Sequence, residues 1–284
     1  MTAGRQLPIT VVILTKNEAA VVSRAIESAL TDFSEVVVLD SLSDDSTVDV
    51  AMRNGARVIQ HAFAGYASQR NFALKDMPKM NEWVFFVDAD EIISGEVTAE
   101  LRRDFTRIIR EGFGMVYMRR KDYFMGRWIR RSSGYPTWFG RLCHAPSVRV
   151  EREINEEYRC DRPATRLSGH LLHYPFAKGL SHWVDRHNRY SSAEALEKAK
   201  GGRLSVGLVF SRDPGLRRKG LKAIFMRLPL RPLISFVFLY ILRLGFLDGK
   251  AGLRFAVLRC FYEFLIDLKL DEVRGESERR TPCP

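Results

Sequence analysis

The chain has 284 residues, a length that fits one large domain or one domain with a substantial appendage. Hydrophobic residues make up 46% and charged residues 28%, a composition that supports a sizeable core and excludes a disordered chain. The formal net charge of +11 favours partners that carry phosphate groups or a membrane surface, although charge alone does not choose between them.

The cysteines and the amino terminus both indicate the cytoplasm. Four cysteines are scattered without a CxxC pair, so neither a zinc knuckle nor a disulfide framework is expected. Residues 1–14 contain one Arg and a short apolar run that leads into TKNE without a small-residue cleavage site. A signal peptide is therefore not expected, and a reducing compartment is predicted.

Apolar runs alternate with helical patterns over the first 110 residues. Strands are predicted at 9–14, 36–39, 57–59 and 83–87, and helices at 21–30, 47–54 and 63–74. Uninterrupted apolar strands such as WVFFV belong in a parallel sheet that is covered on both faces. The sequence therefore predicts an open α/β sheet with right-handed crossovers, whose ligands bind at the carboxyl ends of the strands.

The pattern changes after residue 113. Residues 115–173 contain short alternating segments with aromatic residues and Arg, which predict an antiparallel extension of the sheet. Residues 180–200 have a helical pattern, and residues 201–215 contain Gly and basic residues suited to a linker.

The last third of the chain is basic and apolar. Residues 216–231 contain six Lys or Arg and no acid, and residues 233–247 are mostly apolar but interrupted by Arg243. This apolar run is shorter than the roughly 20 residues that span a bilayer. An interfacial helix hairpin is predicted, with a second amphipathic segment at 253–270; a helical subdomain packed on the protein's own core or on another subunit remains the alternative.

Acidic side chains follow two of the predicted strands. Asp40 ends the second strand, where a carboxylate can accept hydrogen bonds from a ribose or a base. The polar residues that follow either share this pocket or only cap the next helix: Ser43, Asp44, Asp45 and Ser46. Asp88 and Asp90 end the fourth strand, and an i, i+2 pair in extended chain projects both carboxylates to one side. This pair predicts a Mg²⁺ or Mn²⁺ site, where the ion would neutralise a departing nucleoside diphosphate.

Four segments, in this order, resemble the inverting family 2 glycosyltransferases of GT-A fold: ITVVILTKNEAAVVSRAIES, EVVVLDSLSDDST, FAGYASQRNFAL and WVFFVDADE. Weaker similarity in LLHY and HNRYSSAEA extends the resemblance to about residues 7–195. It is greatest to the small bacterial enzymes that build lipopolysaccharide core and capsular or exopolysaccharide. The expected fold is an α/β, Rossmann-like open sheet of GT-A type with an antiparallel extension and a C-terminal helical membrane-associating segment.

The resemblance also implies site residues. The implied nucleotide-sugar site consists of Thr15, Asn17, Glu18, Asp40, Arg70 and Asp88, and the implied metal ligands are Asp88 and Asp90. Asn71 is expected to support a loop. Relatives often have Gly in the loop after the residue that matches Asp40, whereas this chain has Leu42, which disfavours a positive φ there.

An inverting transfer needs a general base near the acceptor hydroxyl, because in-line attack produces an oxygen that must lose its proton. Many relatives carry His-Glu in the acceptor half, where this chain has Asn155-Glu156. Glu156 is therefore the predicted base, with Glu91 as the reserve candidate beside the metal site. His173 could complete the metal shell or orient a phosphate, but a satisfied core histidine is the favoured interpretation.

The predicted domains are a GT-A domain at 1–200, a linker at 201–215 and a helical membrane-associating region at 216–284. Within the first domain, residues 1–112 form the nucleotide-sugar half and residues 113–200 the acceptor half. The expected location is the cytoplasm, peripheral on the inner face of the cell membrane, with an anionic membrane surface as partner.

The expected activity is transfer of a sugar, with inversion, from a nucleotide-sugar donor such as a UDP-sugar to a membrane-associated glycan or lipid-linked acceptor. The pathway would be cell-surface polysaccharide or lipopolysaccharide biosynthesis. A nucleotidyltransferase is disfavoured, because TKNEAAVVSRAIES lacks the Gly-rich phosphate loop of such enzymes. A non-catalytic basic membrane-binding module remains an alternative. Nucleic acid is not an expected partner, because the basic residues gather beside the apolar C-terminal segment.

Overall fold

The computed structural model describes residues 6–151, 157–199, 206–211, 214–225, 228 and 230–280. The chain divides into two compact units. The first comprises residues 1–123 and 136–178, and the second comprises residues 124–135 and 179–284. This division differs from the boundary near residue 200 expected from sequence, because residues 124–135 and the helix after residue 178 belong with the C-terminal helices.

The first unit begins with alternating strands and helices: β1 (Leu7–Thr15), α1 (Val22–Leu30), β2 (Phe33–Asp40), α2 (Thr47–Arg53), β3 (Arg57–Gln60), α3 (Tyr66–Lys75), β4 (Trp83–Asp88), β5 (Glu91–Ile93) and α4 (Gly95–Arg110). Its remaining strands are β6 (Met115–Phe124), β8 (Trp138–His144), β9 (Val148–Glu151), β10 (Glu157–Cys160) and β11 (Ala164–His173), while the two-residue β7 (Arg127–Trp128) lies in the second unit.

Eight strands of a nine-stranded sheet follow the order β3-β2-β1-β4-β8-β6-β11-β5, and the ninth, β7, pairs with β6. The first four run parallel, and β8 pairs antiparallel with both β4 and β6. The open α/β sheet with its antiparallel extension is thus confirmed, except that β11 runs parallel to β6. Strands β9 and β10 form a separate antiparallel pair.

Apolar side chains of the parallel strands are buried on both faces of the sheet. On one face, alternate residues of β1 such as Ile9, Val11 and Ile13 pack with α1 and α4. On the other face, Val12 and its neighbours on β2 and β4 pack with α3. Two-sided burial explains why these strands are continuous apolar runs in the sequence.

The second unit is helical. It contains α5 (Gly179–Ala199), a 3-10 turn (Val206–Phe210), α6 (Pro214–Phe225), α7 (Arg231–Phe236) with a π-helical continuation (Val237–Leu242), a second 3-10 turn (Gly245–Asp248) and α8 (Gly249–Arg280). Helix α8 packs against both α5 and α7. The predicted linker is therefore partly regular structure, while its residues 201–205 and 212–213 lie outside the described part of the chain.

Among the described residues, no single helix has the length and apolar character needed to cross a membrane. By length and composition alone, the two segments Arg231–Leu242 and Gly245–Gly275 meet that requirement together, and they bend by 73° at their junction.

Candidate functional site

The carboxyl ends of three neighbouring strands place the predicted site residues in one row. In the sheet register, Thr15 at the end of β1 lies beside Asp40 at the end of β2. On the other side of β1, Leu14 pairs with Asp88 at the end of β4. The crossovers thus bring together side chains that are far apart in sequence, as expected for parallel strands.

Asp40 organises the loop that follows β2. Its buried carboxylate accepts a hydrogen bond from Thr15 Oγ1 at 2.9 Å, from the Ser43 backbone N at 2.8 Å and from Gln60 Nε2 at 3.3 Å. Burial acts to raise the pKa of Asp40, but these hydrogen bonds, chiefly those from Ser43, outweigh it and lower the pKa. The carboxylate is therefore an ionised acceptor that holds the loop in place.

Leu42 lies in this loop with a φ of +59°, and half of its surface is exposed. The expectation that Leu at this position avoids a positive φ is wrong. The loop is held in this conformation by its neighbours, since Lys16 Nζ donates to the Leu42 carbonyl at 2.6 Å and Ser43 bonds to Asp40. A left-handed conformation costs a non-glycine residue roughly 1–2 kcal/mol, which the loop's hydrogen bonds offset.

Asn17 and Glu18 join the loop after β1 to two other segments. Asn17 has a φ of +58°, and its side-chain oxygen accepts from the backbone N of Asp44 at 2.9 Å. Lys178 Nζ donates to the Asn17 carbonyl at 2.8 Å and lies 2.9 Å from Glu18 Oε1. Sequence patterns did not identify Lys178. It lies between β11 and α5, 161 positions after Asn17 in the sequence.

Asp88 is held by two arginines. Arg141 Nη2, from β8, lies 2.8 Å from Asp88 Oδ2, and Arg70 Nη2, from α3, lies 3.5 Å from Asp88 Oδ1. Burial acts to raise the pKa of Asp88, but Arg141 and then Arg70 outweigh it and hold the pKa well below its usual range. With a side chain that is 35% exposed, Asp88 remains an ionised carboxylate at the edge of the site.

Glu91 is fully enclosed beside this pair. Its Oε1 lies 2.5 Å from Arg141 Nη2 and 3.4 Å from Arg120 Nη1, while its Oε2 accepts from the backbone N of Asp88 at 3.1 Å. Burial raises the pKa of Glu91, and the nearby Asp88 carboxylate adds to this effect. The charge of Arg141 acts to lower the pKa, but it is outweighed. Both oxygens are engaged inside the protein, so Glu91 positions the arginines and is poorly placed to reach an acceptor hydroxyl.

Asp90 lies next to a histidine that is oriented by a second carboxylate. His173 Nδ1 donates to Asp122 Oδ1 at 2.6 Å, and its Nε2 lies 3.5 Å from Asp90 Oδ2. Burial and Arg120 act to lower the pKa of His173, but Asp90 and Asp122 outweigh them and raise it. His173 is therefore a member of the polar site and not a histidine surrounded by apolar core.

These side chains offer an incomplete shell for a cation. Within the described ranges, no group of three or more His, Cys, Asp or Glu side chains is arranged to hold a metal ion by itself. Asp90 Oδ2 and His173 Nε2 nevertheless lie 3.5 Å apart, and Asp122 orients the imidazole as such partners do for metal-ligating histidines. The Asp90 carboxylate fits a Mg²⁺-type ion, which takes one or two protein carboxylates and completes its shell with phosphate oxygens and water.

Of two further residues predicted from sequence, the structure describes Asn71 but not Glu156. Glu156, the predicted base, lies outside the described residues, so its role stays a prediction. Asn71 supports the strand β9, because its amide donates to the Val150 carbonyl at 2.8 Å and accepts from the Val150 N at 2.9 Å.

Sequence analysis missed the two arginines that neutralise the site, Arg141 and Arg120. Arg141 had one available signal, because it is a charged residue inside the strand WFGRLCH, whose neighbours are buried. A buried charge requires a partner, so its position predicted an acid on an adjacent strand.

The sequence profile described as Glycosyl transferase family 2 matches residues 10–160 of the chain. An uncharacterized glycosyltransferase of Rickettsia prowazekii (strain Madrid E) is 26% identical over 280 residues, which cover 95% of this chain and 89% of the relative. An uncharacterized glycosyltransferase of Rickettsia felis (strain ATCC VR-1525 / URRWXCal2) is 38% identical over 119 residues, or 40% of this chain and 41% of that relative.

Two solved structures are also similar. Glucosyl-3-phosphoglycerate synthase from Mycobacterium tuberculosis, in complex with Mn²⁺, uridine diphosphate and glucosyl-3-phosphoglycerate, has 25% identity and a TM-score of 0.33 over 47% of this chain and 48% of its own. S. aureus TarS 1–349 has 16% identity and a TM-score of 0.44 over 97% of this chain and 92% of its own. The alignment thus spans about half the length of the synthase.

Proposed function

The chain belongs to glycosyl transferase family 2, and from this premise we propose that it transfers a sugar, with inversion, from a nucleotide-sugar donor to a membrane-held glycan or lipid-linked acceptor. The observation that carries the proposal is the row of polar side chains at the carboxyl edge of the sheet. It starts at the Thr15–Asp40 hydrogen bond and continues through the Asp88–Arg141 pair to Asp90 and His173. Such a row offers separate places for a nucleoside and a diphosphate.

The nucleoside would bind against the loops after β1 and β2. Asp40 fixes the second loop, and the Lys178–Glu18 pair fixes the first. Arg70 would provide positive charge for the donor diphosphate, since it is buried and points to the edge where Asp88 lies. A UDP-sugar is the proposed donor, in line with the uridine diphosphate in the similar synthase.

The metal ligands predicted from sequence are Asp88 and Asp90, but Asp88 is paired with Arg141 and Arg70. Asp90 and His173 would instead hold a Mg²⁺ or Mn²⁺ ion, with Asp88 beside them. A bound ion would supply charge that stabilises the leaving nucleoside diphosphate. The chain's own contribution is to set the two ligands: Asp122 orients His173, and the Tyr174 backbone N donates to the Asp90 carbonyl at 2.9 Å. Arg141 keeps Asp88 ionised and compensates its charge, so Asp88 stays in place beside the ion.

Glu156 is the proposed general base for the acceptor hydroxyl. The strands on either side of it, β9 and β10, form an antiparallel pair in which Glu151 lies opposite Glu157. Asn71 fastens β9 to α3 through Val150, so the strand before Glu156 is tied to the helix that also carries Arg70.

The acceptor would be held at the inner face of the cell membrane, where the protein would attach peripherally through residues 216–270. Between residues 214 and 262, the sequence contains ten Lys or Arg and a single acid, Asp248, which is buried. Large apolar side chains are exposed on the same segment: Leu233, Val237, Phe238, Ile241, Leu242, Phe246, Leu247, Leu253, Val257 and Phe261. Exposed apolar surface with cations suits an anionic leaflet, and cell-surface polysaccharide or lipopolysaccharide synthesis is the proposed pathway.

The test is a panel of UDP-, GDP- and ADP-sugars titrated into the purified full chain with Mn²⁺ and with EDTA. We expect one donor to bind at least tenfold more tightly with Mn²⁺, and to release its nucleoside diphosphate when a bacterial lipid extract is added. Release of pyrophosphate from a nucleoside triphosphate and a sugar 1-phosphate, tested in a parallel assay, would instead indicate nucleotidyl transfer. Failure of every donor to bind would contradict the proposed function.

Inversion and membrane attachment need separate measurements. NMR of the product should show the anomeric configuration opposite to that of the donor, and retention would contradict inversion. The full chain should sediment with phosphatidylcholine vesicles that contain phosphatidylglycerol and less with vesicles that lack it. Absence of binding to the anionic vesicles would contradict peripheral attachment.

A further inference from the structure

A turn in the segment 124–135 exposes an apolar side chain in an unfavourable backbone conformation. Met125 and Gly126 connect β6 to β7, and their φ angles are +51° and +73°. Positive φ at both positions is typical of a two-residue type I′ turn, where Asn, Asp and Gly are the favoured residues. Met125 is instead a large apolar residue with 53% of its surface exposed. Strain combined with exposed apolar surface points to a functional use of this side chain.

This segment is fastened to the C-terminal helices by Asp248. The Asp248 Oδ2 atom accepts from the backbone N of Arg131 at 2.8 Å and from that of Ser132 at 2.9 Å. The backbone at Gly245 lies so close to Ser132 that a Cβ on Gly245 would be 2.4 Å from Ser132 Oγ. Asp248 is 7% exposed, so the single acid between residues 214 and 262 serves as an internal clamp and is not an exposed carboxylate.

The clamp brings the turn to the start of α8. Arg254 Nη1 lies 3.3 Å from Met125 Sδ, and the rings of Phe124 and Phe255 meet edge to face with centroids 6.2 Å apart. Residues 124–135 contain three Arg and no acid. Arg254 therefore contacts the exposed methionine, and Arg127, two residues after Met125, lies near Gly249 at the start of α8.

We propose that residues 125–130 and 243–254 form one membrane-docking tip. In this tip, Met125, Phe246 and Leu247 enter the headgroup region of the bilayer, while Arg127, Arg130 and Arg254 bind the phosphates of anionic phospholipids. The proposal rests on the membrane attachment proposed above and adds to it a segment from between β6 and β8. A lipid surface is the partner because the tip combines exposed apolar side chains with cations and has no exposed acid, the pattern of interfacial membrane contacts.

The first test replaces Met125 with Asn. Asn tolerates a positive φ, so Met125→Asn should leave thermal unfolding unchanged or raise its midpoint slightly. Because it removes the apolar side chain, it should weaken binding of the full chain to vesicles of phosphatidylcholine and phosphatidylglycerol by at least threefold. Met80→Asn is the matched control, since Met80 is 73% exposed in the first unit and should not affect vesicle binding.

The second test removes charge. The double variant Arg127→Gln/Arg130→Gln should weaken binding to phosphatidylglycerol vesicles by roughly tenfold or more. Its matched control is Arg103→Gln/Arg107→Gln, which removes two exposed arginines from α4 of the first unit. If the wild-type chain binds vesicles and both tip variants bind equally well, the proposed tip is wrong, while membrane attachment itself stands. Lack of vesicle binding by the wild-type chain would overturn both.

Discussion

The Nη2 atom of Arg141 lies 2.5 Å from Oε1 of Glu91, and both side chains are buried. The same nitrogen lies 2.8 Å from Asp88 Oδ2, so one guanidinium bridges the acids at the end of β4 and the start of β5. Removal of one member of such a group leaves an uncompensated charge in the interior, which costs more than the pair contributes to stability.

We expect Arg141→Met to lower the free energy of unfolding by about 3–5 kcal/mol, because it leaves the Glu91 carboxylate buried with only the more distant Arg120. Glu91→Gln in the same chain should recover part of this loss. Urea denaturation of the single and double variants measures the coupling. Arg107→Met, at an exposed pair with Glu111, should cost less than about 1 kcal/mol. Strictly additive effects of the Arg141 and Glu91 substitutions would contradict the proposed interdependence.

Asp90→Ala should abolish sugar transfer and leave the fold intact. The substitution removes the carboxylate that faces His173, so donor affinity should no longer respond to Mg²⁺ or Mn²⁺. Donor titration with each ion and with EDTA provides the measurement. Asp49→Ala, at an exposed position of α2, is the control and should behave as wild type. Wild-type turnover and metal response in Asp90→Ala would show that the ion binds elsewhere.

Glu156→Gln should lower turnover by on the order of 10² to 10⁴, with little change in donor binding, because it removes a base and no donor contact. Single-turnover rates and donor titration separate the two effects. Glu157→Gln serves as the control, since Glu157 pairs with Arg159 on β10. Normal turnover in Glu156→Gln would transfer the role to another acid.

His187 should make the second unit sensitive to acid. Burial, followed by the charges of Arg186 and Arg259, lowers the pKa of His187 to about 4, whereas an unfolded histidine titrates near 6.5. Between these values the unfolded chain binds the proton and the folded chain does not. Stability from this group is therefore complete above about pH 6.5 and is lost as the pH falls toward 4.

His187→Phe keeps an aromatic ring against Trp183 and removes the titration. Between pH 7 and 4.5, the free energy of unfolding of the wild type should fall by about 1 kcal/mol more than that of the variant; this figure is reduced because water partly screens the ring. Urea unfolding followed by tryptophan fluorescence is the measurement. Parallel pH profiles for the two chains would contradict this role.

Local patterns in the sequence determined the parallel half of the sheet and the placement of two site residues. Apolar runs such as WVFFV indicate strands buried on both faces, and parallel strands meet at a common carboxyl edge, so Asp40 and Asp88 could be placed together, and the family resemblance added Thr15. The structure confirms this placement. The prediction succeeded because the information lies within windows of about ten residues.

Only the tertiary structure decided which groups act on these residues. Arg141 reaches Asp88 across 53 positions of sequence, and Lys178 reaches Asn17 across 161. These contacts depend on the register of β8 and on the path of the chain after β11, which no local pattern specifies. The positive φ of Leu42 and the clamp of Asp248 on Arg131 have the same cause. Each is set by hydrogen bonds to partners that fold against the segment, and these partners override its own conformational preference.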